Sequence, residues 1–309
     1  MQPLVIITDM TAHGDDSIAI SLLASSATVS IQSIIATSGN VWAEEAAANV
    51  RHLLRKLRRT DISVTVGQSA ADFCARRPAY HKNLAELTAV YRGAFERQPP
   101  DGAVPARIDL ADAFTHDGAR PDVLLIGPAT VFAEALQRDP DLPNQIGQVF
   151  VMGGAIDRIG NATPKAEFNF WFDPEAAETL LSSTVPITLL PLDTVRGLFY
   201  PSSFAGYLPA KLPGADHLRE CLSLRTHLPV CDEALAATVI NPRLVTRRRL
   251  LKLRTETGAG STYGAVAILP DDAPRRAVEV IDAIDMPALW MLLQEGLAVN
   301  AAATPPTLI

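Results

Sequence analysis

Residues 151–177 read VMGGAIDRIGNATPKAEFNFWFDPEAA, and this stretch carries more of the fold than any other. It starts at the end of an apolar, β-branched run, turns at Gly153 and Gly154, and finishes at Asp173-Pro174, where a helical pattern begins. The polar loop between them is about twenty residues long, and loops of that length inside a compact domain are uncommon without a binding or gating role. Asn161, Glu167, Asn169 and Trp171 lie in it. Amides and a carboxylate beside an aromatic ring can hydrogen-bond the hydroxyls of a sugar and stack on its apolar face. An Ω-loop with no ligand is the competing reading.

Outward from this stretch, short β-branched runs recur at 4–7, 29–36, 62–66, 123–126, 149–152 and 187–190, and read as buried strands. Helical periodicity at 16–24, 43–57, 130–137 and 174–181 separates them. The alternation predicts an α/β fold: an open, mostly parallel, Rossmann-like doubly wound sheet with helices on both faces. Residues 205–240 read as helical with Pro and His interruptions, and 244–253, 264–269 and 277–281 as further strands or hairpins. No linker, repeat or low-complexity tract divides the chain, so the expectation is one domain over 1–309 with a loose tail at 300–309.

Composition narrows the function class. The chain has 309 residues, 48% hydrophobic and 20% charged, an ordinary globular balance that excludes wholly disordered and collagen-like chains. Its 27 basic and 34 acidic residues give a net charge of −7, which repels polyanions, so no nucleic-acid partner is expected. Cys74, Cys221 and Cys231 are too few and too scattered for a disulfide framework or a metal-binding CxxC pair. The start MQPLVIITD lacks a basic n-region, and no run approaches the ~18 apolar residues of a membrane span. A cytoplasmic protein without a membrane partner is the expectation.

In such a sheet, ligands bind beyond the carboxyl ends of the strands. Four further clusters fall there. In ITDMTAHGDDSIAI (7–20), Asp15 and Asp16 open a helix, where adjacent carboxylates either bind a cation or cap the helix. Asn40, in SGN, is a ligand-reading amide or a turn residue. Thr130, in GPAT, offers a carbonyl and a hydroxyl at the sheet's end or serves as a helix N-cap. Cys231 and Asp232 open a late helix, where Asp232 alone reads as a cap.

Taken together, these segments resemble the inosine-uridine-type nucleoside hydrolases, whose IxDxDxGxDDA, GN, GPxTN, MGG…GNxTPxAEFNxxxDPEAA and late HD motifs the chain matches in order over nearly its full length. The resemblance implies the nucleoside hydrolase fold and a small-molecule nucleoside or nucleotide substrate cleaved to ribose and free base. It also implies a calcium ion and a homo-oligomer, dimer or tetramer. Carried over by position, Asp16 and Asp232 are metal ligands, and Thr130 is a further one through its carbonyl. Asp15 accepts a ribose hydroxyl, Asn40, Asn161, Glu167 and Asn169 line the sugar, and His81 lies on a loop near it.

Several departures bear on the chemistry. Thr11 stands where the family has the carboxylate that binds the metal and serves as base, and His13 replaces a glycine. Asp9, Asp15 or His13 then remains to activate the water, Asp9 by way of a loop rearranged around Met10, and Thr11 can still give calcium a hydroxyl ligand. Cys231 stands where many members carry the His that protonates the departing base; it reads either as a weak acid or as a small buried filler. Lys165 reads as a phosphate contact or a solvated lysine, and TRRRLLKLR (246–254) as a solvent-facing strand rather than an anion site. Beside an N-ribosyl hydrolase with a specialised substrate stand two alternatives: a catalytically degenerate ribosyl-ligand binder, and a glycosyl transferase whose acceptor is not water.

Overall fold

The computed structural model describes residues 1–67, 114, 120–208 and 213–299. Cys74, His81 and the tail at 300–309 lie outside the described residues.

The strands in chain order are β1 (Gln2–Thr8), β2 (Val29–Ala36), β3 (Ser63–Val66), β4 (Asp122–Leu125), β5 (Val149–Met152), β6 (Ile187–Leu190), β7 (Val245–Leu251), β8 (Leu253–Thr255), β9 (Val266–Ile268) and β10 (Val278–Ile284). The helices are α1 (Asp15–Ala24), α2 (Ala43–Lys56), α3 (Thr130–Arg138), α4 (Leu142–Gln145), α5 (Phe168–Phe172), α6 (Pro174–Ser182), α7 (Leu192–Val195), α8 (Ala215–Leu224), α9 (Asp232–Ile240) and α10 (Met286–Val299).

Among the described residues, eight strands form one sheet in the order β3-β2-β1-β4-β5-β6-β10-β7, parallel throughout except that β7 runs antiparallel to β10. The strands read as near-continuous apolar runs because the pleat sends successive side chains to opposite faces and both faces are covered. Leu4 and Ile6 of β1 join one core with α1, α2, α8, α9 and α10, while Val5 and Ile7 join a second with α3 and α6. The α/β, mostly parallel, doubly wound architecture expected from the alternation is the one observed.

The strand order reverses between β1 and β4, the switch point beside which an open α/β sheet forms a crevice at its carboxyl edge. The run at 244–253, read as one strand, divides into the edge strand β7 and β8, which pairs with β9 in a separate two-stranded ribbon. Arg248 of β7 meets Glu279 at 3.2 Å, and Arg249 meets both Asp282 and Asp157 at 2.9 Å. The basic run is thus a charged sheet edge with its partners on the chain itself, a pattern that discourages edge-to-edge association. Among the described residues no helix is long and apolar enough to cross a membrane.

Candidate active site

A cavity of about 360 Å³ opens at the carboxyl edge of the sheet, lined in part by Thr11, Asp15, Asn40, Asn161, Glu167 and Asp232. Its floor is made where α1 and α9 pack together, so that two helix N-termini meet. Asp15 and Asp16 occupy the first turn of α1 and Asp232 that of α9, each in a position the helix dipole favours for an anion. Neither helix has a side-chain cap: the N-caps are Gly14 and Cys231, and the carboxylates are left to face one another. An oxygen from each of Asp15, Asp16 and Asp232 lies within 4.8 Å of the others.

Burial is the main reason that Asp16 and Asp232 are held well above the usual carboxylate range, with repulsion from Asp9 and Asp15 adding to it at Asp16 and from Asp15 and Asp16 at Asp232. Such crowding disfavours the ionised form until a cation compensates it. Thr8 donates its hydroxyl to Asp16 Oδ1. Thr11 Oγ1 is buried beside this cluster and has no hydrogen-bond partner among the described residues. An all-oxygen set of three carboxylates and an unpaired hydroxyl fits a hard divalent cation better than a soft one.

Asp9, a candidate base in the sequence, is not brought into the cavity. It is fully buried behind the loop, where Oδ2 accepts the Asn40 backbone N–H at 2.5 Å and Oδ1 has no hydrogen-bond partner among the described residues. Gly39 and Gly127 close over it: a Cβ at Gly39 would lie 2.0 Å from Asp9 Oδ2. Burial, against hydrogen bonds from Asn40 and its own backbone, raises its pKa to about 7. Nor does the loop rearrange around Met10, whose carbonyl accepts from Asn49 Nδ2 at 3.0 Å. His13 also turns away, its Nε2 3.2 Å from Glu220 and its ring 5.1 Å from that of His217.

The wall contributed by residues 153–169 is tied together by its own hydrogen bonds. Glu167 is the N-cap of α5 and accepts from Gly154 N at 2.8 Å, Asn169 N at 2.9 Å and Phe170 N at 3.3 Å. Burial raises its pKa to about 7 in spite of these donors. Asn161 Oδ1 accepts from Phe168 N at 2.8 Å, which folds the loop back on α5, and Asn169 Nδ2 donates to the Met152 carbonyl at 3.1 Å. The loop therefore presents Asn161, Glu167 and Asn169 on one surface because its backbone is satisfied from within.

The opposite wall comes from residues 225–231. Arg225, only 5% exposed, sets Nη2 3.0 Å from Asp15 Oδ2 and 2.9 Å from the Pro229 carbonyl, with Nε 4.0 Å from Glu233. Tyr200 donates to Glu233 at 2.8 Å behind it. Burial works against the Arg225 charge, but Asp15 and Glu233 outweigh it and raise the pKa above the usual arginine value. Burial also lifts Glu233 to about 7, and lifts the Cys231 thiol well above its ordinary value with Asp15 and Asp232 adding to the effect.

Of the sequence candidates, Thr11, Asp15, Asn40, Asn161, Glu167, Asn169, Cys231 and Asp232 line the cavity, and Asp16 lies just beneath it. Trp171 does not reach it; the ring on the wall is Phe168, with Trp171 packed behind it at a centroid distance of 6.3 Å. The two rings stand one helical turn apart and touch, and only the first reaches the cavity, an order that a string of aromatic letters conceals. Thr130 is neither an N-cap nor on the wall. It is the first residue of α3 after the N-cap Ala129, and its hydroxyl donates to Asp173 at 2.5 Å. Lys165 is exposed, away from the cavity. Sequence reasoning missed Phe168, Arg196 and Arg225. Phe168 stands between two recognised site residues, a signal that could have found it; the arginines carry no local signal, since arginine is ordinarily a surface residue.

A family model described as inosine-uridine preferring nucleoside hydrolase matches residues 4–291. The pyrimidine-specific ribonucleoside hydrolase RihA of Escherichia fergusonii is 32% identical over 197 residues, which cover 62% of this chain and 61% of that protein. The match thus spans about three fifths of the length of this curated relative. Among solved structures, a plant nucleoside hydrolase superposes with a TM-score of 0.82 at 21% identity, covering 96% of this chain and 99% of that one. A purine-preferring ribonucleoside hydrolase from Gardnerella vaginalis gives a TM-score of 0.82 at 20% identity, with 98% and 100% coverage. At these identities the two structures establish a shared fold.

Proposed function

The chain belongs to the inosine-uridine preferring nucleoside hydrolase family, and from that membership we propose that it is an N-ribosyl hydrolase, cleaving a nucleoside or related ribosyl compound to ribose and free base. The observation that carries the reading is a cavity in which the Asp15, Asp16 and Asp232 cluster faces Asn161, Glu167 and Asn169. A carboxylate floor that holds a hard cation, opposite a wall of amides and a carboxylate, suits a sugar diol on one side and the remaining hydroxyl on the other.

Calcium is the proposed cation, held by Asp16 and Asp232 with Asp15 and the Thr11 hydroxyl beside them; the Thr130 carbonyl, off the cavity wall, is not part of the ligand set. When bound, it supplies Lewis-acid polarisation of a water and of the sugar hydroxyls. Asp15, on the cavity surface and 20% exposed, accepts a ribose hydroxyl and takes the proton from the attacking water. Thr11 orients that water through its unpaired hydroxyl. Asn40, Asn161, Glu167 and Asn169 hold the sugar, and Phe168 covers its apolar side. With threonine at the usual carboxylate position, base catalysis falls to a residue that also binds substrate, so turnover is slower than in relatives that keep the carboxylate. One whole-length domain and a homo-oligomeric assembly complete the proposal.

The test is chromatographic detection of free base from a panel of nucleosides and nucleotides, with added calcium and again with chelator. Release abolished by the chelator is the expected result. Silence across the panel, with ribosyl ligands still bound, overturns hydrolysis in favour of a binder or a transferase. Thr11→Asp discriminates further: new hydrolysis in a silent parent identifies the missing base, whereas loss of an existing activity gives Thr11 a part in a changed mechanism.

A further inference from the structure

Building on the hydrolase reading, we infer that Arg225 determines specificity by selecting ribosides whose base departs as an anion. The argument is geometric. The acidic cluster forms the floor, and Asn161, Glu167 and Asn169 form one wall. A sugar whose hydroxyls engage both turns its anomeric substituent toward the remaining wall, made by Arg225, Leu228, Pro229 and Cys231. Leu228 and Pro229 offer apolar surface for a flat ring, and Arg225 offers the fixed positive charge.

The guanidinium is held rigidly yet incompletely used. Nη2 is committed to Asp15 at 3.0 Å and to the Pro229 carbonyl at 2.9 Å. Nε is buried and has no hydrogen-bond partner among the described residues, its nearest acidic oxygen lying 4.0 Å away on Glu233. A guanidinium has five N–H donors in a planar fork and does not release its proton in proteins, so it stabilises negative charge without acting as a general acid. Its bond to Asp15 places it beside the carboxylate assigned to a ribose hydroxyl.

In the step this implies, the C1′–N bond breaks with its electron pair staying on nitrogen, while the oxygen of water joins C1′. The departing anion rests against Arg225, and the proton that water gives up ends on the base after it has left. Lactam and imide heterocycles of the uracil, hypoxanthine and xanthine type form such anions readily. Cytosine-type bases, which leave well only when protonated, are the disfavoured class. Preorganised donors aimed at developing charge are worth about 10²–10³ in rate.

The experiment measures kcat/KM with calcium present for 4-nitrophenyl β-D-riboside, xanthosine, uridine and cytidine, in the wild type, Arg225→Gln and Arg225→Lys. The wild type is expected to prefer xanthosine over cytidine by about 10²-fold or more. Arg225→Gln releases Asp15 and so costs every substrate something, but it should lower uridine by ~10²-fold more than the nitrophenyl riboside, whose leaving group needs no help. Arg225→Lys should fall between. Equal loss on every substrate would mean that Arg225 only positions Asp15, and would overturn the inference while leaving hydrolysis intact. If Arg225→Gln does not fold, cytidine turnover in the wild type as fast as that of xanthosine overturns it instead. A wild type inert toward all four, the nitrophenyl riboside included, removes the hydrolase reading itself and the inference with it.

Discussion

The two sides of the cavity differ in how they meet their hydrogen-bonding needs. In the wall at 153–169, Asn161, Glu167 and Asn169 each close a bond to backbone of their own neighbourhood. On the floor and the facing wall, Thr11 Oγ1, Arg225 Nε and Glu233 Oε2 are buried without hydrogen-bond partners among the described residues, and like charges crowd together. Buried polar atoms are satisfied in nearly all native proteins, so unsatisfied ones mark strain, chemistry or an expected ligand. The contrast separates two kinds of binding surface: the first wall is held in shape by its own backbone before any ligand arrives, and the second is completed by what binds there.

The sharpest way to break this contrast is Asp232→Asn. If the floor is built around a cation, kcat/KM should fall by ~10³-fold, about 4 kcal/mol of transition-state stabilisation, and calcium should no longer raise the unfolding temperature. Without metal, the same variant should be more stable than the parent at neutral pH, because one member of a repelling buried group has gone. A drop in metal-free stability would mean that the floor is already satisfied without a cation.

A second measurement concerns Glu167, whose pKa rises from 4.5 to about 7 mainly through burial. The folded state then keeps its proton over a pH range in which the unfolded state has lost it. Stability from this group is therefore full below pH 4.5 and is lost as pH rises through about 7. At about 1.4 kcal/mol per unit, the fall amounts to ~3 kcal/mol in urea unfolding. Glu167→Gln should flatten that part of the slope. Calcium should not, since Glu167 belongs to the wall and not the floor, and a slope erased by calcium would merge the two regions that the comparison keeps apart.

The smallest effect is expected at Lys165, on the solvent side of the same loop. Lys165→Ala should change stability by no more than ~0.5 kcal/mol and leave kcat/KM unaltered. A tenfold loss on any substrate of the panel would place a ligand anion outside the cavity.

Much of the fold was legible because its signals are local. The apolar run at 149–152 became β5 over Val149–Met152, and the periodic run at 43–57 became α2 over Ala43–Lys56. Burial on both faces leaves a continuous apolar signature for any central parallel strand. The late region was less legible: the run at 244–253 reads as one strand, and only pairing assigned its halves to different sheets. The same divide runs through the site. Asp15, Asp16 and Glu167 stand in recognisable patterns, whereas Arg225 is an arginine among ordinary letters until α8 delivers it to Asp15.

The sequence by itself determined the strand and helix alternation, the polar loop before Asp173 and the carboxylates at two helix starts, because each depends on neighbours within a few residues. Only the tertiary structure decided that α1 and α9 meet at their N-termini, that Phe168 rather than Trp171 faces the cavity, that Asp9 is sealed behind Gly39, and that Arg225 faces Asp15. Those facts depend on distances between residues far apart in the chain, which are set when the two faces of the sheet are covered and buried charges must find partners where packing brings them.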